Sequence, residues 1–269
     1  MTVGGFNVRK SQYIGETPKQ RQNNAKTTPL ICSFCLLIKQ RWCIRTMFWK
    51  KPVLPAGQSI ARAETPLNTP ISDITFTVFD TETTGFAVGR HDRLIEIGAV
   101  HVKGNRVLET ETFHMHVNPE RSIPPEITEL TGISMETIEH APNSLEAIEA
   151  YLHYNEKANS TIWVGHYVSF DLLVIKKELQ RHQYRIDMPT TIDTLDLIGY
   201  ISPSKHMLDL EIYASQFGTR IYNRHEALGD ALTTAHLFCE LLYHLENRGK
   251  RTFADLLAIS DMSKRNIQF

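Results

Sequence analysis

The order of short apolar runs along the chain most constrains its fold. Runs at 74–79, 94–102 and 107–117 have the β-branched and aromatic content of strands. Further runs at 161–164 and 190–194 are separated by segments with helical periodicity. Three early strands followed by alternating helices and strands indicate an α/β domain with a mixed central sheet.

Turn and cap residues predict how these elements begin and end. The turn at 103–106, Lys-Gly-Asn-Arg, predicts an antiparallel hairpin between the second and third strands. Gly132 is expected to end a short helix, and Asn143 or Ser144 to cap the next one. The predicted helices span residues 126–130, 144–154, 171–182, 227–245 and 253–259.

Charge divides the chain into unequal parts. Residues 1–70 hold 11 Lys and Arg against 2 Asp and Glu, whereas the whole chain of 269 residues has a net charge of −1. The remainder is therefore acidic and contains all 12 histidines. We predict a poorly ordered basic N-terminal extension with a Pro-rich linker at 1–72, the main folded domain at 73–250, and a short C-terminal helix and tail at 251–269.

The extension leaves several interpretations open. Its apolar stretch at 30–38 is too short for a transmembrane segment, which needs ~20 residues. It can instead bind nucleic acid electrostatically or lie on a membrane surface, and Met47 is an alternative start. Cys32, Cys35 and Cys43 lack a fourth ligand for a structural zinc site. The few cysteines favour a cytoplasmic protein, with Cys239 on a helix.

Two carboxylates, Asp80 and Glu82, follow the first apolar run. If the strand continues through Glu82, side chains two residues apart share one face and project together beyond the strand end. Such a pair is suited to binding a divalent cation, although Asp before Thr-Thr-Gly is also typical of a plain turn. Carboxylate oxygens favour hard cations such as Mg²⁺ or Mn²⁺.

A third acid, Asp171, follows the short strand at 161–164. Junctions from a strand to a helix in α/β sheets direct residues into the crevice at the carboxyl edge. A structural alternative is that Ser169 caps the helix and Asp171 only favours its positive end.

His225 and Asp230 are five residues apart, which on one helix means ~140° of rotation and ~7.5 Å of rise. They can face one site only if His225 lies just ahead of the helix and Asp230 in its first turns. Gly229 between them predicts close packing or an irregular start of the helix.

Together these motifs resemble the DEDDh (DnaQ-like) 3′-5′ exonucleases, in particular the proofreading epsilon subunit of bacterial DNA polymerase III and its relatives. The resemblance covers residues 73–246 and includes Arg93-Leu94-Ile95-Glu96-Ile97-Gly98 and the connector at 123–133. It implies a ribonuclease H-like sheet flanked by helices, and a phosphodiesterase that releases nucleoside monophosphates from 3′ ends. One departure is Tyr167, where the family commonly has Asn.

The resemblance also implies the roles of the site residues. Two Mg²⁺ or Mn²⁺ ions would be held by four acids, and His225 would be the general base rather than a residue that only orients substrate. The implied metal ligands are Asp80, Glu82, Asp171 and Asp230. The terminal nucleotide is expected to lie against Thr83, Thr84, Gly85, Phe86 and His166, although Phe86 and His166 can also be purely structural.

The expected partner is a nucleic-acid 3′ end, with DNA favoured and association with a DNA polymerase possible. The activity then belongs to proofreading, repair or turnover. A rival interpretation is an RNA 3′-end-trimming exonuclease, because a contact to the 2′-hydroxyl cannot be read from the sequence. A second rival is a catalytically silent module that binds 3′ ends or proteins.

Overall fold

The computed structural model of the protein describes residues 65–203 and 209–260. Within these ranges five strands form one sheet in the order β3-β2-β1-β4-β5. The strands are β1 (Thr75–Thr83), β2 (Leu94–Lys103), β3 (Arg106–His116), β4 (Ile162–Gly165) and β5 (Thr190–Asp193). Strand β2 is antiparallel to β1 and β3, whereas β1, β4 and β5 are parallel. The predicted mixed sheet is confirmed.

The hairpin between β2 and β3 has the two-residue turn that the sequence predicts. Gly104 and Asn105 both have positive φ, 56° and 57°. A two-residue loop with both central residues in the left-handed region matches the twist of the flanking strands. The turn aligns β3 along β2, so that residues on the two strands meet in register.

The described residues also form eight α-helices. These are α1 (Pro125–Thr131), α2 (Met135–Ile138), α3 (Ser144–Lys157), α4 (Val168–Arg181), α5 (Thr194–Ile201), α6 (Leu210–Gln216), α7 (Ala227–Glu246) and α8 (Phe253–Ile259). Asn143 caps α3 and Gly132 ends α1, as predicted. Helix α4 begins three residues earlier than predicted. Ser169 therefore lies inside the helix and does not cap it.

Helices cover both faces of the sheet, and alternate residues of β1 belong to different cores. Val78 packs with Phe238 of α7 in one buried cluster. The next residue, Phe79, packs with Tyr151 of α3 and Ile175 of α4 in the other. This alternation follows from the two-residue period of a strand, and it buries residues 76–79 of β1 between the two helical layers.

Contacts cross both predicted domain boundaries. Ile71 is 1% exposed and belongs to the core, and its N–H donates to the carbonyl of Arg251. The N–H of Phe253, at the start of α8, donates to the carbonyl of Thr69. Residues assigned to the linker and to the tail thus complete the same packed domain, and the boundaries at 72 and 250 stay predictions.

The expectations for residues 1–64, including Cys32, Cys35, Cys43 and Met47, lie outside the described residues. In the described part of the chain no helix has the length and apolar character needed to cross a bilayer. The cytoplasmic location stays a prediction.

Glu178 connects α4 to its neighbours and so fixes the position of Asp171. Its carboxylate is 1% exposed. It accepts hydrogen bonds from Arg93 Nε (3.0 Å), from the N–H of Leu94 at the start of β2 (3.2 Å), and from Ser144 Oγ at the start of α3 (2.8 Å). A buried carboxylate is stable only with such compensation. The network therefore sets the placement of α4 against the sheet.

Candidate active site

Strand β1 continues through Glu82, as the cation-binding interpretation of Asp80 and Glu82 requires. Asp80 pairs with Gly98 and Glu82 with Glu96 across the antiparallel β1–β2 ladder. Both acids therefore project from one face of the sheet, beside the carboxyl end of β4.

Asp171 reaches the same strand end from α4. Its Oδ1 accepts two hydrogen bonds from Thr81, one from the backbone N–H (2.9 Å) and one from Oγ1 (2.6 Å). Asp171 is 4% exposed. Its position in the first turn of α4 is thus tied directly to the residue between Asp80 and Glu82.

His225 lies ahead of α7 and Asp230 in its first turns, which confirms the condition derived from their spacing. His225 has a φ of 61°, and its N–H donates to Asp230 Oδ2 at 3.1 Å. A Cβ on Gly229 would lie 2.0 Å from the carbonyl oxygen of Asn223. The close packing predicted at Gly229 is confirmed. The segment before α7 therefore lies directly against the first turn of the helix.

Two features of β2 hold the start of α7 against the sheet. A Cβ on Gly98 would lie 2.2 Å from the backbone of Ala227 and Leu228, so the helix start contacts the strand backbone directly. Glu96 Oε2 accepts the N–H of Ala227 at 2.8 Å. As a result, ligand atoms of Glu82, His225 and Asp230 all lie within 4.8 Å of one another.

Burial and mutual repulsion raise the pKa values of the clustered acids. Burial raises the pKa of Asp80 well above its ordinary value, and the charges of Asp171, Glu82 and Asp230 raise it further. Burial, followed by the charges of Asp230 and Glu96, raises the pKa of Glu82 to about 8. Burial also raises the pKa of Asp171 to about 7, although the hydrogen bonds from Thr81 oppose that rise.

Arg224 is a residue of this site that the sequence reasoning missed. Its Nη1 donates to Asp230 Oδ1, and its Nη2 donates to Asp209 Oδ1 at 2.9 Å. The guanidinium lowers the pKa of Asp80 and of Glu82, in opposition to burial. A cation directly before the predicted general base was the available signal, because neighbours of a helix start face the same crevice.

A cavity of about 340 Å³ opens at this end of the sheet. Asp80, His166, Tyr167, Asp209, Leu210, Arg224 and Asp230 line it. His166 Nδ1 lies 2.8 Å from Thr194 Oγ1, which orients the imidazole. His166 therefore lines the same cavity as the predicted metal ligands Asp80 and Asp230.

Tyr167 occupies a backbone conformation that suits the Asn of the family pattern. Its φ and ψ are 58° and 37°, in the left-handed region, where Asn is several-fold enriched. The N–H of Tyr167 donates to Asp193 Oδ1 (3.3 Å), which also accepts the N–H of Leu195. Asp193 therefore supports the turn that leads into α4.

The loop after Glu82 is closed by internal hydrogen bonds. Thr83 Oγ1 donates to the carbonyl of Gly85 at 2.7 Å, and Thr84 Oγ1 donates to Asp92 Oδ1 at 3.1 Å. Gly85 has a φ of 149°, and a Cβ there would lie 2.5 Å from Asp92 Oδ2. Asp92 was missed by the sequence reasoning. The substrate contacts of Thr83, Thr84 and Gly85 stay predictions.

This closed loop presents Phe86 to solvent. Its ring is 88% exposed, and its centroid lies 5.9 Å from that of Phe170, the residue before Asp171. Phe170 was not anticipated as part of the site. The two rings form an aromatic pair, and one of them belongs to the residue next to Asp171.

The donor set fits divalent metal ions. Asp80, Glu82, Asp171 and Asp230, the predicted ligands, would supply carboxylate oxygens. Hard cations such as Mg²⁺ and Mn²⁺ prefer carboxylate oxygens. Burial raises the pKa of each of these four carboxylic acids, and bound cations would favour their ionised forms.

A family model described as Exonuclease (RNase T) matches residues 77–238. The chain belongs to this exonuclease family. The matched range begins in β1 and ends in α7, and so includes all five predicted catalytic residues. The recognition of a DEDDh-type hydrolase family from the sequence is confirmed.

Among curated relatives, the DNA polymerase III subunit epsilon-like protein of Rhodobacter capsulatus is 32% identical over 215 residues, which cover 79% of this chain and 29% of that protein. The first curated relatives are far longer than the matched region. The chain spans 13%, 11% and 29% of their lengths.

Two solved structures share the fold. Exonuclease X in complex with 5′ overhanging duplex DNA has a TM-score of 0.53 and 21% identity, covering 69% of this chain and 99% of that chain. The nuclease domain of 3′hExo, a DEDDh family member bound to rAMP, has a TM-score of 0.58 and 16% identity, covering 65% and 94%. The predicted ribonuclease H-like fold is confirmed.

We expect the metal-free protein to lose stability as pH rises from about 4.5 to about 8. The folded pKa of Glu82, about 8, exceeds its ordinary value of 4.5. Between these values the folded state holds a proton that the unfolded chain releases, so the free energy of unfolding falls with increasing pH. Urea unfolding in EDTA across this range measures the slope.

The Glu82→Gln variant is the control for this prediction, because its amide does not titrate. Its free energy of unfolding should fall less steeply with pH than that of the wild type. An equal or steeper slope in the variant would contradict the electrostatic account of Glu82.

Proposed function

We propose that this protein is a divalent-metal-dependent 3′-to-5′ exonuclease that hydrolyses phosphodiester bonds at nucleic-acid 3′ ends and releases nucleoside monophosphates. The observation that carries the proposal is the convergence of four carboxylates and His225 at one end of the sheet, where Asp80 and Asp230 line a cavity. Membership of the exonuclease family supports it independently.

In this proposal Asp80, Glu82, Asp171 and Asp230 would hold the divalent cations. When bound, the two ions supply charge neutralisation at the scissile phosphate and activation of the attacking water. Asp171 keeps one oxygen available, since its two hydrogen bonds from Thr81 go to Oδ1. The raised pKa of Asp171 and of Glu82 means that both release protons as cations bind.

We assign general-base catalysis to His225. A ring nitrogen of its imidazole accepts the proton that the attacking water loses. Its backbone is held by the bond from its N–H to Asp230. The neighbouring residue, Arg224, donates a hydrogen bond to the same acid, Asp230. In this proposal metal ions would take the place of this guanidinium beside Asp230, and Arg224 would then contact a substrate phosphate.

We place the terminal nucleotide between the aromatic pair and the cavity. Phe86 is 88% exposed and adjacent to Phe170, as a stacking surface for a base requires. His166 lines the cavity with Asp80, and we assign it a contact near the scissile phosphate. Thr83, Thr84 and Gly85 then act by shaping the loop that carries Phe86.

We favour DNA as the substrate, in proofreading, repair or turnover. Support comes from the relative named as a DNA polymerase III epsilon-like protein and from Exonuclease X, which was solved with duplex DNA. The neighbour 3′hExo was solved with a ribonucleotide, so RNA is included as an arm of the test. Association with a DNA polymerase is part of the same proposal.

The function is tested with 5′-labelled oligomers of matched DNA and RNA sequence, offered as single strands, duplexes and duplexes with a mismatched 3′ end. With Mg²⁺ or Mn²⁺ the wild type should shorten single-stranded DNA from the 3′ end and release mononucleotides. EDTA or the Asp80→Asn variant should abolish the release. Faster digestion of RNA would overturn the DNA preference, and absence of mononucleotides from either polymer would overturn the activity.

We expect His225→Ala to lower kcat by ~10²-fold or more while Mg²⁺ binding, measured calorimetrically, is retained. His140→Ala is the matched control, since its side chain is 93% exposed and should leave kcat unchanged. Near-normal turnover of His225→Ala would refute the assignment of the general base.

We expect Phe86→Ala to lower kcat/KM for single-stranded DNA by ~5- to ~100-fold, because one base–aromatic stack contributes ~1–3 kcal/mol. Tyr243→Ala is a suitable control. Tyr243 is also exposed but lies 13 residues after Asp230 on α7, which is roughly 20 Å along the helix. Equal effects of the two substitutions would contradict the stacking role.

A further inference from the structure

A second group of metal-binding side chains lies outside the catalytic set. It consists of Glu96 on β2 with His114 and His116 on β3, and we call it the strand cluster. Glu96 is paired directly with His116 in the β2–β3 ladder, and His114 is paired with Gly98. The three side chains therefore share the sheet face that carries Asp80 and Glu82.

The donor atoms of the strand cluster converge on one point. His114 Nε2 lies 2.5 Å and His116 Nε2 lies 3.5 Å from the same oxygen, Glu96 Oε1. One ligand atom from each residue lies within 4.8 Å of the others. Zn–N and Zn–O bonds of about 2.0–2.2 Å in a tetrahedral site separate neighbouring ligands by about 3.3 Å. The spacing of Glu96 and His116 already matches this value.

We propose that the strand cluster binds a divalent transition-metal ion of the zinc class. Two imidazoles with one carboxylate favour such an ion over Mg²⁺, which prefers oxygen ligands alone. The side chains of His114 and His116 are 43% and 39% exposed, so the ion reaches them from solvent and the imidazoles can adjust. The fourth position is open to water.

Contacts around Glu96 hold its carboxylate in a position suited to binding a metal ion. Its side chain is 4% exposed, and Oε2 is held by the N–H of Ala227 at 2.8 Å. This bond orients the carboxylate and leaves Oε1 directed at the two imidazoles, as a partner outside the coordination shell does in metal sites.

A metal ion here connects the outer strand β3, through Glu96, to the start of α7. The ion would neutralise Glu96, which faces Glu82 across β1 and β2. It therefore stabilises the arrangement that brings His225 and Asp230 to the catalytic acids. The site is separate from the catalytic cations, because none of its three ligands belongs to the proposed catalytic set.

The test uses Zn²⁺ alone as the ligand, with the full chain carrying Asp80→Asn and with excess Mg²⁺ to suppress binding at the catalytic acids. Zn²⁺ is titrated calorimetrically into this parent and into versions that add His114→Ala, His116→Ala or both. His140→Ala is the matched surface control. Each ligand substitution should weaken one binding event by at least ~10-fold, and the double substitution should abolish it.

Co²⁺ absorption spectra separate this site from the cysteines of the N-terminal segment, because thiolate ligands produce charge-transfer bands that imidazole and carboxylate ligands do not. The parent should show a nitrogen- and oxygen-ligated Co²⁺ signal that the double substitution removes. Each version is compared with its own Tm in EDTA, and Zn²⁺ should raise the Tm only of those that retain the site.

Unchanged Zn²⁺ affinity after the double substitution, or an equal loss in the His140→Ala control, would overturn the proposal. The readout needs no nucleic acid and no turnover. Failure of the exonuclease proposal is therefore distinguishable from failure of this one.

Discussion

Mutual repulsion among buried carboxylates is the constraint on which this structure depends. Asp80, Glu82, Asp171 and Asp230 meet at one end of the sheet, and the raised pKa of each acid follows from burial and, for Asp80 and Glu82, from the neighbouring charges. A fold that only maximised stability would separate them. This protein holds them together by fixing each supporting element rigidly, and divalent cations would remove the repulsion.

Specific buried contacts hold these supporting elements. Glu178 joins α4 to the start of β2 and of α3, so Asp171 cannot retreat from β1. Glu96 and the close approach at Gly98 hold the start of α7 on β2. Helix α7 also provides much of one core through residues such as Phe238. The packing that stabilises the fold is therefore the same packing that positions the catalytic residues.

Predictions from the sequence succeeded where local chemistry decides the outcome. The Gly104–Asn105 turn, the Asn143 cap and the helix ending at Gly132 depend on nearest neighbours, and all three are confirmed. The start of α4 was placed too late, because Tyr167 adopts a left-handed conformation that Asn usually occupies. Phe170 was missed, since a single Phe carries no pattern before its neighbours in space are known, and Arg224 was missed although it directly precedes His225.

The sequence by itself determined the fold class and the family and predicted a set of catalytic residues, because strand and helix periods, turn residues and the order of the acids are properties of the chain. Tertiary structure alone brought Asp80, Asp171 and His225 within one site, since their convergence requires helices packed on both faces of the sheet. It also aligned Glu96 with His114 and His116. The reason is physical: register and helix docking depend on burial and close approach between segments distant in the chain, which local patterns do not encode.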